Sequence, residues 1–178
     1  MASSALDEKI LGEKIVNLAT LVVHEAADAH VSVASAESCT GGLVAGALTA
    51  VPGSSEVLLG SVVSYAISIK QKVLGVSKEI FDDPKLGAVS ELCACQMALG
   101  AQRLMGTTLA VSVTGIAGPS GAEPGKPVGT VWFGLSTPLG TRAHVMHFEG
   151  SRNEVRLQAV IYALELLRDG IVESSNSQ

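Results

Sequence analysis

The spacing of apolar residues along the chain switches between a helical period and a strand-like period. Leu11, Ile15, Leu18 and Val22 fall on one stripe of an amphipathic helix, which we predict over residues 7–28. Elsewhere, short runs rich in valine alternate with segments that begin after helix-capping residues. They predict strands from Val31, over 61–65, on both sides of a glycine-rich loop at 115–129 and over 144–149, and helices from Leu43, Lys70, Ser90 and Ser151.

The later helices carry recognisable signals at their ends. Ser90 is expected to cap a helix that extends to about Leu104. Ser151 and Glu154 have the spacing of a capping box, which opens a terminal helix that Gly170 is expected to end. Alternating strands and helices predict α/β layers, and the pair of strands around the glycine-rich loop predicts a mixed sheet.

The most informative segment is VSVASAESCTGGLVAGALTAV at residues 31–51, in which a strand leads through a short polar turn into an apolar helix. The first N–H groups of a helix have no intrahelical acceptor, so such a turn can bind a phosphate or an oxyanion. A side chain held up by the turn could also attack a carbonyl carbon. The alternative is a turn that only caps and packs the helix. The residues concerned are Ser38, Cys39, Thr40, Gly41 and Gly42.

A second candidate segment is VSVTGIAGPSGAEPGKPVGTVWFG at residues 111–134. Its glycines suit a loop that wraps a polar ligand, and Lys126 offers a charge for a phosphate or carboxylate. It is not a Walker A loop, because Pro127 follows the lysine and Ser120 stands where that motif needs its first glycine. The alternative is a long, mobile hairpin connection. The glycines are Gly115, Gly118, Gly121, Gly125 and Gly129.

Composition and charge limit the function classes. The chain has 178 residues, a net charge of −5 and 47% hydrophobic residues, which predicts one domain with a core at about 7–170 and a frayed polar tail. Only 3% of residues are aromatic and no basic stripe is present, which argues against nucleic-acid binding. No signal peptide is apparent, and the longest apolar run is about half of the roughly 20 residues that a membrane span needs. We expect a cytoplasmic protein without a membrane partner.

Cysteines and histidines are not arranged as metal ligands. Three cysteines outside a secretory context do not suggest a disulfide framework. Cys93 and Cys95 lie two apart in a predicted helix, so they point to different sides and are expected to be small core residues. His144 and His147 lie three apart in a predicted strand, on opposite faces. We therefore expect no metal site.

Four segments stand out by their order and spacing: AESCTGG at 36–42, GAVS at 87–90, TGIAGP at 114–119 and KPVGTVWF at 126–133. With VPGSS at 51–55, the spacing from Tyr65 to Lys70 and a Gly-x-Arg at 150–152, they resemble the CinA C-terminal domain family over residues 31–167. The resemblance implies a three-layer α/β/α sandwich with a mixed sheet. It also implies a nicotinamide-nucleotide amidohydrolase of pyridine nucleotide salvage, which converts nicotinamide mononucleotide and water to nicotinic acid mononucleotide and ammonia. It suggests a homo-oligomer and no cofactor.

The same resemblance implies roles for individual residues. Ser38 would be the nucleophile, Lys70 its base, and Tyr65 would relay the proton or orient the amine. Ile67 and Ile69 flank the lysine, which favours burial and a lowered pKa. The N–H groups of residues 39–42 would stabilise the oxyanion. Candidate substrate-binding residues are Cys39, Thr40, Gly41, Gly42, Thr114, Gly115, Gly118, Lys126 and Arg152.

Arg152 is expected to hold the substrate phosphate, because it starts the terminal helix and its guanidinium can grip phosphate oxygens with two parallel bonds. Arg156 lies one turn later on the same face. It would assist Arg152, or pair with Glu149 or Glu154 at the surface.

Two other hypotheses remain open. The chain has Ile67 and Ser120 where the family usually has polar and acidic residues. Ile67 and the affinity of glycine-rich turns for phosphates motivate a catalytically weak nucleotide-binding module that needs no working base. Alternatively, Cys39 is the nucleophile, since a helix N-terminus lowers the pKa of a thiol. No nearby sequence feature supplies a histidine partner for that thiol.

Overall fold

The structure, a computed structural model, describes residues 2–175. The helices are α1 Ala2–Asp28, α2 Leu43–Thr49, α3 Ile67–Leu74, α4 Lys78–Asp82, α5 Glu91–Met105 and α6 Arg152–Ser175. The strands are β1 Val33–Glu37, β2 Leu58–Val63, β3 Leu109–Gly115, β4 Thr130–Thr137 and β5 Gly140–His147. This order matches the predicted alternation of strands and helices.

The strands of the described chain form one mixed sheet in the order β2-β1-β3-β4-β5. β1 pairs in parallel with β2 and with β3, whereas β3–β4 and β4–β5 are antiparallel. The carboxyl ends of three neighbouring parallel strands therefore meet at one edge, where α/β proteins usually place their ligands. Residues 38, 64 and 116 follow these three ends directly.

One face of the sheet is covered by α1, α2 and α6. The core on this side is aliphatic, as the low aromatic content predicts, and it includes Val22, Val33, Val111 and Leu164, all fully buried. The predicted stripe of α1 faces this core, with Leu18 and Val22 buried and Leu11 and Ile15 packed against it.

The other face is covered by α3, α4 and α5, and here the sheet presents small residues. Ala34, Ala36 and Ala110 belong to this second core. A Cβ on Gly134 would lie 2.3 Å from the carbonyl oxygen of Ala94, so α5 lies almost directly on the sheet backbone. The three layers form the predicted α/β/α sandwich.

The C-terminal end of α3 packs closely against α5. A Cβ on Gly100 would lie 2.0 Å from the carbonyl oxygen of Leu74, closer than any real contact. Gly75, in the left-handed region at φ 68°, ends α3 immediately after this contact. The glycine in α5 therefore sets the position of the short helix that carries Lys70.

Several predicted boundaries are wrong. α3 begins at Ile67, three residues before the predicted start at Lys70, so Lys70 lies within the helix rather than at its first position. Gly170 does not end the terminal helix, which continues to Ser175. Instead this glycine packs against Leu109, whose Cδ1 would be 3.2 Å from an added Cβ. The predicted tail is therefore helical up to residue 175, and residues 176–178 lie outside the described residues.

The predicted caps are confirmed. The hydroxyl of Ser90 accepts a hydrogen bond from the N–H of Cys93 at the start of α5. Ser151 and Glu154 bond each other reciprocally at the start of α6, as a capping box does.

Candidate active site

The turn after β1 is built as a sharp departure from the sheet. β1 is buried along its whole length, and the N–H of Ser38 still donates to Val113 of the neighbouring strand at 2.9 Å. The chain then reverses, with Gly41 donating to the carbonyl of Ser38 at 3.1 Å. Gly41 and Gly42 adopt φ values of 65° and 99°, which other residues rarely adopt. The reversal leaves Ser38 at the end of the strand, only partly covered.

A buried carboxylate that the sequence analysis missed occupies the helix end of this turn. Glu37 is fully buried, and its Oε2 accepts the N–H groups of Gly42 and Val44 at 2.9 and 3.1 Å. Its Oε1 accepts the N–H of Ala45 at 2.9 Å. The first N–H groups of α2 are therefore already satisfied by a negative charge. The predicted oxyanion contact through Gly42 is wrong for this reason.

The side chain of Lys70 reaches Ser38 from α3. Its Nζ lies 2.9 Å from Ser38 Oγ, 2.5 Å from the carbonyl oxygen of Ser64 and 3.3 Å from that of Tyr65. A neutral amine has two hydrogens and one lone pair. It can donate to the two carbonyls and accept the hydrogen of the serine hydroxyl, which is the geometry that a general base requires.

The protonation of Lys70 is set by its burial. The side chain is 1% exposed, and loss of hydration lowers its pKa below the ordinary lysine value. The thiols of Cys93 and Cys39 act in the opposite direction but do not cancel this effect. The predicted burial of the lysine is confirmed, although the flanking Ile67 and Ile69 are themselves partly exposed and do not provide it. Its Nζ is enclosed instead by Ser38, Ser64 and Tyr65, which follow the ends of β1 and β2, and α3 itself packs against α5.

The structure argues against Cys39 as the nucleophile. Burial raises the pKa of its thiol to about 11, so almost none is ionised near neutrality. Thr40 is also unsuited, because its hydroxyl is fully buried and has no partner within the described chain. Apart from a contact between the Cys39 N–H and its own thiol, the backbone N–H groups of Cys39 and Thr40 have no acceptor among residues 2–175. They are the donors of the turn that stay available to an oxyanion.

The Tyr65 hydroxyl faces Arg152 rather than Lys70. Arg152 donates to that hydroxyl at 3.2 Å and to the carbonyl of Gly118 at 2.7 Å. The phenol is 64% exposed, and its hydroxyl makes no hydrogen bond to Lys70 within the part of the chain that is described. Two roles were predicted for Tyr65. Its backbone carbonyl can orient the Lys70 amine, to which it is hydrogen-bonded. Its hydroxyl has no contact with Lys70 through which it could relay a proton.

Arg156 has a different partner from the ones predicted. Its Nε donates to the carbonyl of Cys39 and its Nη2 to the carbonyl of Thr40, both at 3.0 Å. Neither predicted role, assistance to Arg152 or a surface pair with Glu149 or Glu154, included these bonds to the turn. Through this arginine, α6 holds two carbonyl groups of the turn, whereas Glu37 holds the N–H of Gly42.

Several glycines of the second loop are explained by packing. A Cβ on Gly115 would lie 2.7 Å from the carbonyl of Thr130, and one on Gly118 would lie 2.6 Å from a methyl of Val128. Gly129 is closer still to a backbone carbonyl, that of Phe148, at 1.9 Å. These contacts require the glycines whether or not a ligand binds the loop, and only Gly118 is bonded to a site residue, Arg152.

Thr114 and Lys126 attach the second loop to the segment before α5. The Thr114 hydroxyl donates to the carbonyl of Ala88 at 2.7 Å, and the Lys126 amine donates to the carbonyl of Leu86 at 2.6 Å. Lys126 also pairs with Glu123 at 3.1 Å. The structure thus brings together Ser38, Lys70, Tyr65 and Arg152. Thr114 and Lys126 instead hydrogen-bond the segment before α5.

Residues 2–175 contain neither a cluster of metal ligands nor a membrane-spanning helix. Within the described residues, no group of three or more His, Cys, Asp or Glu side chains is arranged to hold a metal ion. Cys93 is fully buried beside Met97, as predicted for a core residue, whereas Cys95 is only partly buried. None of the helices described combines the length and hydropathy of a transmembrane segment.

The fold and site define a three-layer α/β/α protein in which a buried lysine reaches a serine on a strand-to-helix turn. The family model of the CinA C-terminal domain matches residues 15–171, and the chain belongs to this family. A CinA-like protein of Anaeromyxobacter sp. (strain K) is 49% identical over 161 residues, which cover 90% of this chain. One of Fervidobacterium nodosum is 40% identical over 169 residues, 95% of this chain. The chain spans 39% of the length of each of these relatives.

Solved structures of the family share the same fold. The competence/damage inducible protein CihA from Agrobacterium tumefaciens aligns with a TM-score of 0.84 at 41% identity, covering 88% of this chain and 94% of that one. A CinA superfamily protein from Escherichia coli aligns with a TM-score of 0.82 at 34% identity, covering 86% and 88%. The predicted family and the predicted sandwich are confirmed.

Proposed function

We propose that this domain hydrolyses the carboxamide of nicotinamide mononucleotide to nicotinic acid mononucleotide and ammonia. The observation that carries the proposal is the 2.9 Å contact between Lys70 Nζ and Ser38 Oγ, made by an amine that is almost fully buried. Burial lowers the pKa of this amine, and a neutral amine is the form that can take a proton from serine. Membership of the CinA family supports the substrate class.

The reaction would proceed through an acyl-enzyme. Lys70 removes the hydroxyl proton while Ser38 Oγ attacks the amide carbon, and the oxyanion that forms lies against the N–H groups of Cys39 and Thr40. The lysine ammonium returns the proton to the amide nitrogen as the C–N bond breaks, and ammonia leaves. Water then attacks the ester with the same lysine as base, which releases the carboxylate and restores Ser38. Loss of one oxyanion donor costs on the order of 3 kcal/mol in related sites.

Arg152 is the candidate for the phosphate of the substrate. Its guanidinium is exposed at the start of α6, and its bonds to Gly118 and Tyr65 place it beside the residue whose carbonyl holds Lys70. A cation in this position can hold a mononucleotide with its carboxamide directed at Ser38. A free amide without the phosphate lacks this contact.

The test is ammonia release from nicotinamide mononucleotide, its riboside, nicotinamide and simple amides. We expect turnover of the mononucleotide by the wild type and none by Ser38→Ala or Lys70→Ala. Binding of the mononucleotide without ammonia release would instead support a nucleotide-binding module. Equal turnover of all the amides would contradict the proposed substrate class.

A further inference from the structure

We propose that Glu37 is a positioning residue, whose buried carboxylate holds the turn of Ser38 in its reactive geometry. The inference rests on the proposed function, because it assigns a role toward the nucleophile of that reaction. No oxygen of this carboxylate faces a substrate, since the side chain is fully buried. It would act through the backbone alone.

The carboxylate closes a loop that begins with its own residue. The chain leaves β1 at Glu37, passes through residues 38–41, and returns at Gly42, whose N–H donates to Oε2. The same carboxylate then fixes the first turn of α2 through Val44 and Ala45. Both oxygens are used, and Oε1 also accepts from the hydroxyl of Ser35 at 3.2 Å. The end of the strand and the start of the helix are thus joined by a single side chain.

Arg156 restrains the same turn through its carbonyl groups. It donates to the carbonyls of Cys39 and Thr40, the two peptide groups between the nucleophile and the glycines. Among the described residues, the N–H groups of Cys39 and Thr40 donate to no other residue. Glu37 accepts the N–H groups at the start of α2, and Arg156 donates to the two carbonyls of the turn. The position of Ser38 Oγ relative to Lys70 therefore depends on both anchors.

Glu37 is not among the groups that shift the pKa of Lys70. The pKa of Lys70 is lowered by burial and opposed by the thiols of Cys93 and Cys39, and its hydrogen bonds go to Ser38 and to backbone carbonyls. A positioning role then predicts that loss of Glu37 lowers the reactivity of the serine at every pH. The pH at which reactivity is half-maximal should not move.

The experiment measures covalent reaction of Ser38 with phenylmethylsulfonyl fluoride by intact mass, as a function of pH. The variants are Glu37→Gln, which keeps the shape but presents an N–H₂ group to backbone donors, and Glu37→Asp, which keeps the charge but is one methylene shorter. Ser35→Ala is the matched control, because it removes a bond to the same carboxylate without touching the turn. Circular dichroism melts select a temperature at which each protein is folded.

We expect both Glu37 variants to label at least about tenfold more slowly, because a misplacement on the order of 1 Å costs about a hundredfold in comparable sites. The half-maximal pH should stay at the wild-type value, and Ser35→Ala should label as the wild type does. If Glu37→Gln does not fold, Glu37→Asp carries the test. Wild-type labelling in a folded Glu37 variant, an equal loss in Ser35→Ala, or a shifted pH profile with an unchanged plateau would overturn the proposal.

Ammonia release from nicotinamide mononucleotide, measured on the same samples, separates this inference from the proposed function. A wild type that labels at Ser38 but releases no ammonia contradicts the substrate while the role of Glu37 stands. A wild type that labels no faster than Ser38→Ala contradicts both. Normal ammonia release together with unaffected Glu37 variants contradicts the positioning role alone.

Discussion

Replacing Lys70 tests the proposed chemistry most directly. Lys70→Met preserves much of the buried aliphatic chain but removes the amine that lies 2.9 Å from Ser38 Oγ. General-base catalysis contributes about 10²–10⁴-fold, which corresponds to about 3–5 kcal/mol of barrier, and we expect kcat/KM to fall by at least this much. Lys70→Arg should fail equally, because a guanidinium does not give up its proton and cannot act as a base.

The assay is continuous ammonia release from nicotinamide mononucleotide, with kcat/KM measured against pH. The wild-type rate should rise with pH to a plateau. The midpoint of this rise should lie below the ordinary lysine pKa of 10.5, because burial lowers the pKa of Lys70. Residual activity of Lys70→Met within tenfold of the wild type would refute the assignment of the base. Substantial activity in Lys70→Arg would reduce Lys70 to a fixed charge.

The same variant has a signature in stability. A lysine whose pKa is lowered on folding binds its proton more weakly in the native state than in the unfolded state. The free energy of unfolding of the wild type therefore decreases as the pH falls from 10.5 to the pKa of the folded protein. Below the folded pKa the decrease is complete. The stability of Lys70→Met relative to the wild type should therefore rise over this interval as the pH is lowered, which denaturant titrations at several pH values measure.

Three further predictions concern other parts of the molecule. Ser38→Ala should abolish ammonia release, whereas Cys39→Ser should largely preserve it, because the buried Cys39 thiol has a pKa of about 11 and this residue contributes mainly its backbone N–H. The reverse result would make the thiol the nucleophile. Arg152→Ala should raise KM strongly for the mononucleotide and hardly at all for the riboside, and equal effects on both substrates would show that Arg152 does not bind the phosphate. Gly100→Ala should destabilise the fold by more than about 3 kcal/mol or prevent folding, because its Cβ would lie 2.0 Å from the Leu74 carbonyl. The control Gly12→Ala, which meets nothing within 4 Å, should stabilise α1 by about 0.5–1 kcal/mol in thermal or denaturant unfolding.

Much of the fold could be predicted because its signals are local. The stripe of α1, the cap at Ser90 and the box formed by Ser151 and Glu154 each depend on residues a few positions apart. The end of α6 could not be predicted in this way. Gly170 looks like a helix end in sequence, but its lack of a side chain serves contact with β3, more than 50 residues earlier.

The site divides in the same manner. Ser38 and Lys70 were predicted from motifs that resemble a known family, and the structure brings them into contact. Glu37 was not identified, since an acidic residue at the end of a strand carries no pattern until the helix that it caps is folded back upon it. The bonds of Arg156 to the turn were not predicted, because its carbonyl partners lie more than 100 residues away in sequence.

The unequal faces of the sheet make its two sides sensitive to opposite kinds of mutation. Beneath α1 and α6, truncating a large aliphatic residue of the sheet such as Leu109 to alanine leaves a cavity and costs about 2–5 kcal/mol. Beneath α5, where Ala34, Ala110 and Gly134 already stand near the minimum size, there is little left to remove. Enlargement causes the damage there, at about 1–3 kcal/mol for each extra group or more where backbone is struck. A library that samples smaller residues would leave these sheet positions beneath α5 almost untouched, whereas one that samples larger residues would find them intolerant.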